Sequence, residues 1–186
     1  MTDSLPPVSR PPEAHAAFRR GQLLVLLEEV GDAITVDRLG YAEFFAANPF
    51  LIWREPSAER TRLQLAGLLP TALSYQAAPE RYANRRTRLR SDLAGLAAWG
   101  FLRIDSVDQR LACSLSAQGR AVASSLDSVY GEAYRLAVSL VLPKLRNVSN
   151  VQLNRLALQW LDIENLRIDL LDSEYGIDLD GQGRLL

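Results

Sequence analysis

The chain has almost none of the residues on which metal sites and catalytic triads are usually built: its 186 residues include one cysteine, Cys113, and one histidine, His15. A single cysteine excludes a disulfide or a cysteine-based metal site within the chain, and a single histidine removes histidine-dependent triads and multi-histidine metal sites. His15 sits in a Pro/Ala-rich stretch. Cys113 falls in an apolar strand pattern, where a thiol reads as a small buried hydrophobe. No apolar run reaches the roughly 18 to 20 residues that span a bilayer. The opening MTDSLPPVSRPPEAH lacks a basic segment followed by an apolar one, so neither a membrane span nor a secretory signal is expected, and the location expected is cytoplasmic. No glycine-rich phosphate loop occurs. The neighbouring acids Glu28 and Glu29, and Asp105 and Asp108, have no histidine, lysine or nucleophile spaced to complete a mechanism, so no enzyme and no cofactor are expected.

What remains is a chain of ordinary globular composition, 48% hydrophobic and 23% charged, long enough for one domain with a substantial core. The net charge of −1 conceals segregation. Residues 1–53 carry −3, residues 54–120 carry +5, residues 121–160 carry +2 and residues 161–186 carry −5. A positive middle between acidic ends suits phosphate or an acidic partner, and equally lets the tail mask the middle. Three regions follow: a Pro-rich leader over 1–12, a domain over 13–160 and an acidic tail over 161–186. The DLDGQG of the tail has too few ligand positions for a calcium loop.

Periodicity predicts a first helix from about Glu13, with Leu23, Leu26, Leu27 and Val30 as its buried stripe and Gly31-Asp32 as its end. Thr35 reads as the N-cap of a second helix stopped by Asn48-Pro49. Tyr41, Phe44 and Phe45 read as core within it, although exposed they would make a stacking group for nucleic acid. Ser57 caps a third helix with Leu63, Leu65, Leu68 and Leu69 as apolar surface. Residues 71–84, interrupted by Pro79, read as a loop. A key helix then starts within 84–87 and runs to about Trp99, and Leu89, Leu93 and Leu96 lie within about 60° of one another on its core face. Strands flank SVDQ as a hairpin, with Leu102 and Ile104 on one face and Leu111, Cys113 and Leu115 on one face. Ser116 caps a helix predicted to reach about Val141, roughly 40 Å long. Along it Val122, Leu126, Val129, Ala133, Leu136 and Leu140 step as a heptad seam, facing either the protein's own helices or a partner helix. After Pro143, Ser149 or Asn150 caps a final helix carrying Leu153, Leu156, Ala157 and Trp160.

Helix, two-stranded ribbon and helix in that order make a mainly α fold: a winged helix-turn-helix core with a β wing and a long helical C-terminal extension. The strongest functional feature is Arg81, Arg85, Arg86, Arg88 and Arg90 at the start of the key helix, suited to DNA phosphate or to a partner. Opposite its leucines stand Thr87, Ser91, Ala94 and Ala98, too small for bidentate base contacts and suited to close approach of another helix. The bland alternative is a solvated arginine face held by salt bridges to Glu80 and Asp92.

DRLGYAEFFAANPFLI, LSYQAAPERYANRRTRLRSDLAGLAAWGFLRI and LSAQGRAVASSLDSVYGEAYRLAV together resemble the small middle component of three-component ABC ATPase systems, including Lamassu-type anti-phage systems. The likeness covers about 23–160 and rests on apolar and arginine positions, with no catalytic signature. It implies an accessory subunit that bridges an SMC-like or Rad50-like ATPase to an effector, often a nuclease, and restrains the effector until foreign DNA is sensed. It implies contacts at Arg85, Arg86, Arg88 and Arg90, with non-specific DNA contact inside the complex, and no membrane. Two other readings of the same residues stand beside it. One is a homodimeric winged-helix transcription regulator joined through the Val122 to Leu140 seam; the other is an adaptor whose arginines bind acidic protein.

Overall fold

The fold is seen in a computed structural model that describes residues 12–70, 78–107 and 109–161. The leader before Pro12 and the acidic tail after Leu161 lie outside the described residues, as does the stretch 71–77. The architecture is mainly helical with one small antiparallel sheet. In chain order the elements are α1 (Ala16–Val30), β1 (Ile34–Thr35), α2 (Val36–Ala47), α3 (Ala58–Leu65), α4 (Ala78–Ala98), β2 (Leu102–Val107), β3 (Arg110–Leu115), α5 (Ala117–Ser124), α6 (Val129–Arg146) and α7 (Asn150–Leu161).

Helix α1 is the hub. Gln22 and every residue from Leu23 to Leu27 are buried, so its apolar surface is wider than the one-sided stripe its periodicity predicts. The extra burial arises because α1 touches α2, α4, α5, α6 and β3 at once. Gly31 then ends it at φ 78°, where any Cβ would be strained. Leu39, Phe44 and Phe45 of α2, Leu89, Leu93 and Leu96 of α4, and Tyr134, Ala137, Val138 and Val141 of α6 complete the core. Tyr41, Phe44 and Phe45 are therefore packing residues: Phe44 and Phe45 meet edge to face with centroids 5.4 Å apart.

The sheet order is β1-β3-β2, with Ile34 opposite Cys113 and Thr35 opposite Ala112. The β2–β3 hairpin closes with Val107 opposite Arg110, and Gln109 in its turn has φ 61°. Among the described residues only the base of the hairpin is covered. Leu102, Cys113 and Leu115 are buried, whereas Ile104 and Leu111, on the same face, stay 47% and 58% exposed.

Several sequence expectations need correction. Thr35 is the N-cap residue of α2, as expected, but it stands at the end of β1 and its side chain makes no capping hydrogen bond. Ser57 does cap α3, accepting from the Arg60 N–H at 3.1 Å, but only Leu63 of that helix is buried, and Leu65 and Leu69 are exposed. The key helix, α4, begins at Ala78 and not within 84–87. Pro79 lies in its first turn, where a missing N–H is one of the helix's unpaired donors anyway, so proline starts this helix and does not interrupt it.

The single long helix after Ser116 is two helices. Ser116 caps α5 by accepting from Gly119 N–H at 3.0 Å, but α5 ends at Ser124, and Ser128 opens α6 by accepting from Gly131 N–H at 3.1 Å. Short polar side chains at 124, 125, 127 and 128 offer the backbone local hydrogen bonds that compete with a continuous helix. The six-residue seam is broken with it: Leu126 lies between the helices, Val129 is 86% exposed, and Ala133 is buried in the domain itself. Pro143, expected to end the segment, lies within α6, and the last helix begins beyond a reciprocal cap in which Ser149 and Gln152 each bond the other's backbone N–H.

Arg135 of α6 ties this half to α1. It donates to Glu28 at 2.6 Å, to Glu29 at 3.3 Å and to the Ala123 carbonyl at 2.9 Å. Burial alone raises the pKa of the Glu28 carboxyl, but hydrogen bonds from Ser124 and Arg135 and the Arg135 charge outweigh it and leave it lowered. A depressed carboxylate contributes stability above its unfolded pKa and loses that contribution as pH falls through the folded one. Acid titration of unfolding should therefore show the stability difference between the native chain and Glu28→Gln shrinking as pH falls from about 5 to about 3; a constant difference would contradict this.

Two glycines make a sharper packing test. A Cβ at Gly119 of α5 would overlap the Phe101 carbonyl oxygen, which is backbone and cannot swing aside, whereas at Gly21 of α1 the nearest atom is Leu126 Cδ1 at 4.0 Å. In urea titrations Gly119→Ala should destabilise by about 3 kcal/mol. Gly21→Ala should stabilise by about 1 kcal/mol, the usual helix gain over glycine.

Candidate partner-docking face

The arginine run of α4 divides by helical geometry into side chains that turn inward and side chains that turn out. Arg85 lies on the face that carries Leu89, Leu93 and Leu96. Its guanidinium forms an ion pair with Glu43 of α2 and also bonds Gln22 of α1; the Gln22 amide in turn donates to the Tyr130 hydroxyl at 2.6 Å. Glu43 is 3% exposed, and burial raises its pKa against the opposing pull of the Arg85 charge. Arg86, partly buried, lies over the Tyr41 ring at 5.6 Å and reaches Asp37 and the Tyr82 hydroxyl at 3.2 Å each. Arg81 lies 3.7 Å from Glu13.

Two turns beyond Arg85, the polarity of the contact reverses. Asp92 of α4 is buried and takes a bidentate pair from Arg19 of α1, at 2.6 and 3.0 Å, with Arg20 Nε 3.6 Å away. Asp92 thus binds α1 and not the arginines of its own helix, contrary to the local salt bridge expected of it. Arg20 also lies over Trp99, 4.7 Å from the ring centroid.

The outward side of α4 is different in kind. Thr87, Ser91, Ala94 and Ala98 are all exposed, as is Arg88. Arg88 and Arg90 lie on opposite flanks of this strip, each about 100° from the core direction. Thr87 folds its hydroxyl back onto the Ala83 carbonyl at 3.1 Å, which leaves the strip low and smooth. The structure therefore separates the five arginines and keeps the four small residues together. Arg85 and Arg86 are anchors, and Arg88 and Arg90 border a shallow surface suited to a helix or an extended segment.

Sequence reasoning passed over Arg19, Gln22 and Glu43. Glu43 could have been found, because a lone carboxylate inside the apolar run YAEFFAA must be paired or neutral if that helix is buried on all sides. Nothing local marks Arg19, whose partner is 73 residues away. Cys113 is buried in β3, and burial pushes its thiol up to about 12, the setting of an inert side chain. Among the described residues no group of three or more His, Cys, Asp or Glu could hold a metal ion, and no helix is long and apolar enough to cross a membrane. No family model, no curated protein and no solved structure matches the chain.

The division of the arginines has an energetic signature. Glu43→Ala would leave Arg85 buried without its counter-charge and should cost about 3 to 5 kcal/mol in chemical denaturation. Arg88→Ala, on the exposed flank, should change stability by no more than about 0.5 kcal/mol. Similar losses for both would mean that Arg88 is also a structural residue.

Proposed function

We propose that α1, β1, α2, α4 and the β2–β3 hairpin form a winged-helix unit, and that the chain is a non-enzymatic accessory subunit of a cytoplasmic SMC-like or Rad50-like ATPase defence complex. In this role it bridges the ATPase to a nuclease-type effector and restrains that effector until foreign DNA is sensed. The element order supports the first part, because β1 enters between α1 and α2 and pairs beside β3 of the wing. The observation that carries the second is the composition of the α4 outer face. A helix whose inward arginines are held in ion pairs, and whose outward residues are Thr87, Ser91, Ala94 and Ala98, offers close approach to a partner element and few groups able to read base edges. The resemblance of 23–160 to the middle subunit of three-component ABC ATPase systems supplies the identity of the partners.

The transcription-regulator reading is weakened by one observation. It needed a continuous Val122 to Leu140 seam, and these positions do not share a helix. Arg88 and Arg90 could still touch phosphate from the edges of the docking face, as non-specific DNA contact within the complex.

Co-expression with the ATPase and the nuclease tests the proposal. The native chain should capture both, and Ser91→Arg with Ala94→Arg should reduce capture at least tenfold while circular dichroism and the unfolding midpoint stay unchanged. Failure of the native chain to capture either protein, combined with DNA affinity that depends on sequence, would favour the regulator and overturn the subunit.

A further inference from the structure

Among the described residues nothing pairs with the outer edge of the sheet along β2, where Arg103 to Val107 are all exposed. Its pairing geometry can be read from the inner edge. The Ser116 N–H donates to the Phe101 carbonyl at 3.0 Å. This sets the phase of the antiparallel ladder: Arg103, Asp105 and Val107 bond to β3, while Leu102, Ile104 and Ser106 direct their N–H and C=O groups outward. Edges of this kind invite strand addition unless something opposes it.

Here the edge carries its own complement. Around Ile104 the sequence reads Leu-Arg-Ile-Asp-Ser, with a cation on one side and an anion on the other. We propose that β2 docks a second copy of this chain, edge to edge and antiparallel, about a two-fold axis through Ile104, to give a continuous sheet of six strands. In that register Ile104 lies opposite Ile104 of the second copy and Leu102 opposite Ser106, so the three outward-bonding positions meet one another and form six backbone hydrogen bonds. Arg103 falls opposite Asp105 twice, in the non-hydrogen-bonded pairs, where side chains lie closest. A shift by one residue would place inward-bonding positions against outward-bonding ones. A shift by two would misalign the charges. The charges that discourage an arbitrary strand thus select this one partner, and a two-fold axis requires such self-complementarity. The exposure of Ile104, 47%, is then accounted for, since it meets its own copy at the two-fold axis.

A second match exists in the chain itself, because Leu-Arg-Ile-Asp recurs at 166–169. The 166–169 stretch lies outside the described residues and is a rival occupant of the edge, which the variants below separate from a second copy.

The inference does not depend on the function proposed for α4, which uses another face. Sedimentation velocity of the full chain should show a concentration-dependent, reversible dimer. Arg103→Asp and Asp105→Arg should each weaken it at least tenfold by setting like charges opposite one another, and Ile104→Pro, which removes an outward N–H without taking a bond from β3, should abolish it. Circular dichroism of each variant confirms folding. The decisive samples are the double variant Arg103→Asp with Asp105→Arg, which should dimerise again, and an equimolar mixture of the two single variants, which should form a heterodimer. A native chain that stays monomeric, or a dimer indifferent to all three single changes, overturns the proposal. Loss in the single variants without recovery in either the double variant or the mixture overturns it too, and assigns the edge to the 166–169 repeat of another chain, whose Arg167 and Asp169 the swap leaves unmatched.

Discussion

Two buried ion pairs of opposite polarity fix α4 on the rest of the domain. At Arg85 the helix offers a cation to Glu43 of α2; two turns later, at Asp92, it offers an anion to Arg19 of α1. A buried pair adds little net stability over well-packed apolar residues, but either partner alone is heavily penalised, so such pairs act on specificity. The leucines of α4 would tolerate small rotations and slips. The alternation of charge would not, because sliding α4 by a turn along α1 and α2 leaves Arg85 and Asp92 without their counter-charges in a dry environment. The proposed docking face is aimed by these contacts, since the same helix that turns Arg85 and Asp92 inward must turn Thr87, Ser91, Ala94 and Ala98 outward.

This explains why an arginine-rich helix need not be a nucleic-acid reader. Charge counted along the sequence overstates the charge presented at the surface: of the arginines in NRRTRLR, Arg85 is neutralised inside the domain and Arg86 is stacked on Tyr41 beside Asp37. The residues that remain at the surface of α4 are small or lie on its flanks. Such a face gains affinity from close packing and less from electrostatic attraction, which favours a protein partner over a polyanion.

The features legible in the sequence were those set by local physics. Leu89, Leu93 and Leu96 fell on one side of a helix by spacing alone; Ser57, Ser116 and Ser149 acted as caps; and the hairpin between Phe101 and Ser116 showed in its alternation. The misreadings arose where two local rules competed or where partners were remote. Pro79 can either break or begin a helix, and only the position of the preceding residues decides. The polar cluster around Ser125 and Ser128 could have been tolerated inside a helix, but two caps and the fold of α6 against α1 and α2 broke it. The inward direction of Arg85 follows from its spacing to Leu89, but its partner Glu43 lies 42 residues away, and no local pattern encodes that pairing.

The anchoring of α4 by buried charge also sets its dynamics. A helix pinned at both polarities should not open on its own, whereas the uncovered hairpin tip and the exposed α3 surface around Leu65 should open at low energy. Native-state hydrogen exchange of the α4 amides measures this most directly. If the ion pairs hold the helix as inferred, the amides of Leu89, Leu93 and Leu96 exchange only through global unfolding, with the same free energy as the amides of Leu23 to Leu27 in α1. Exchange of the α4 amides through a separate opening several kcal/mol below the global value, while α1 stays protected, would contradict it.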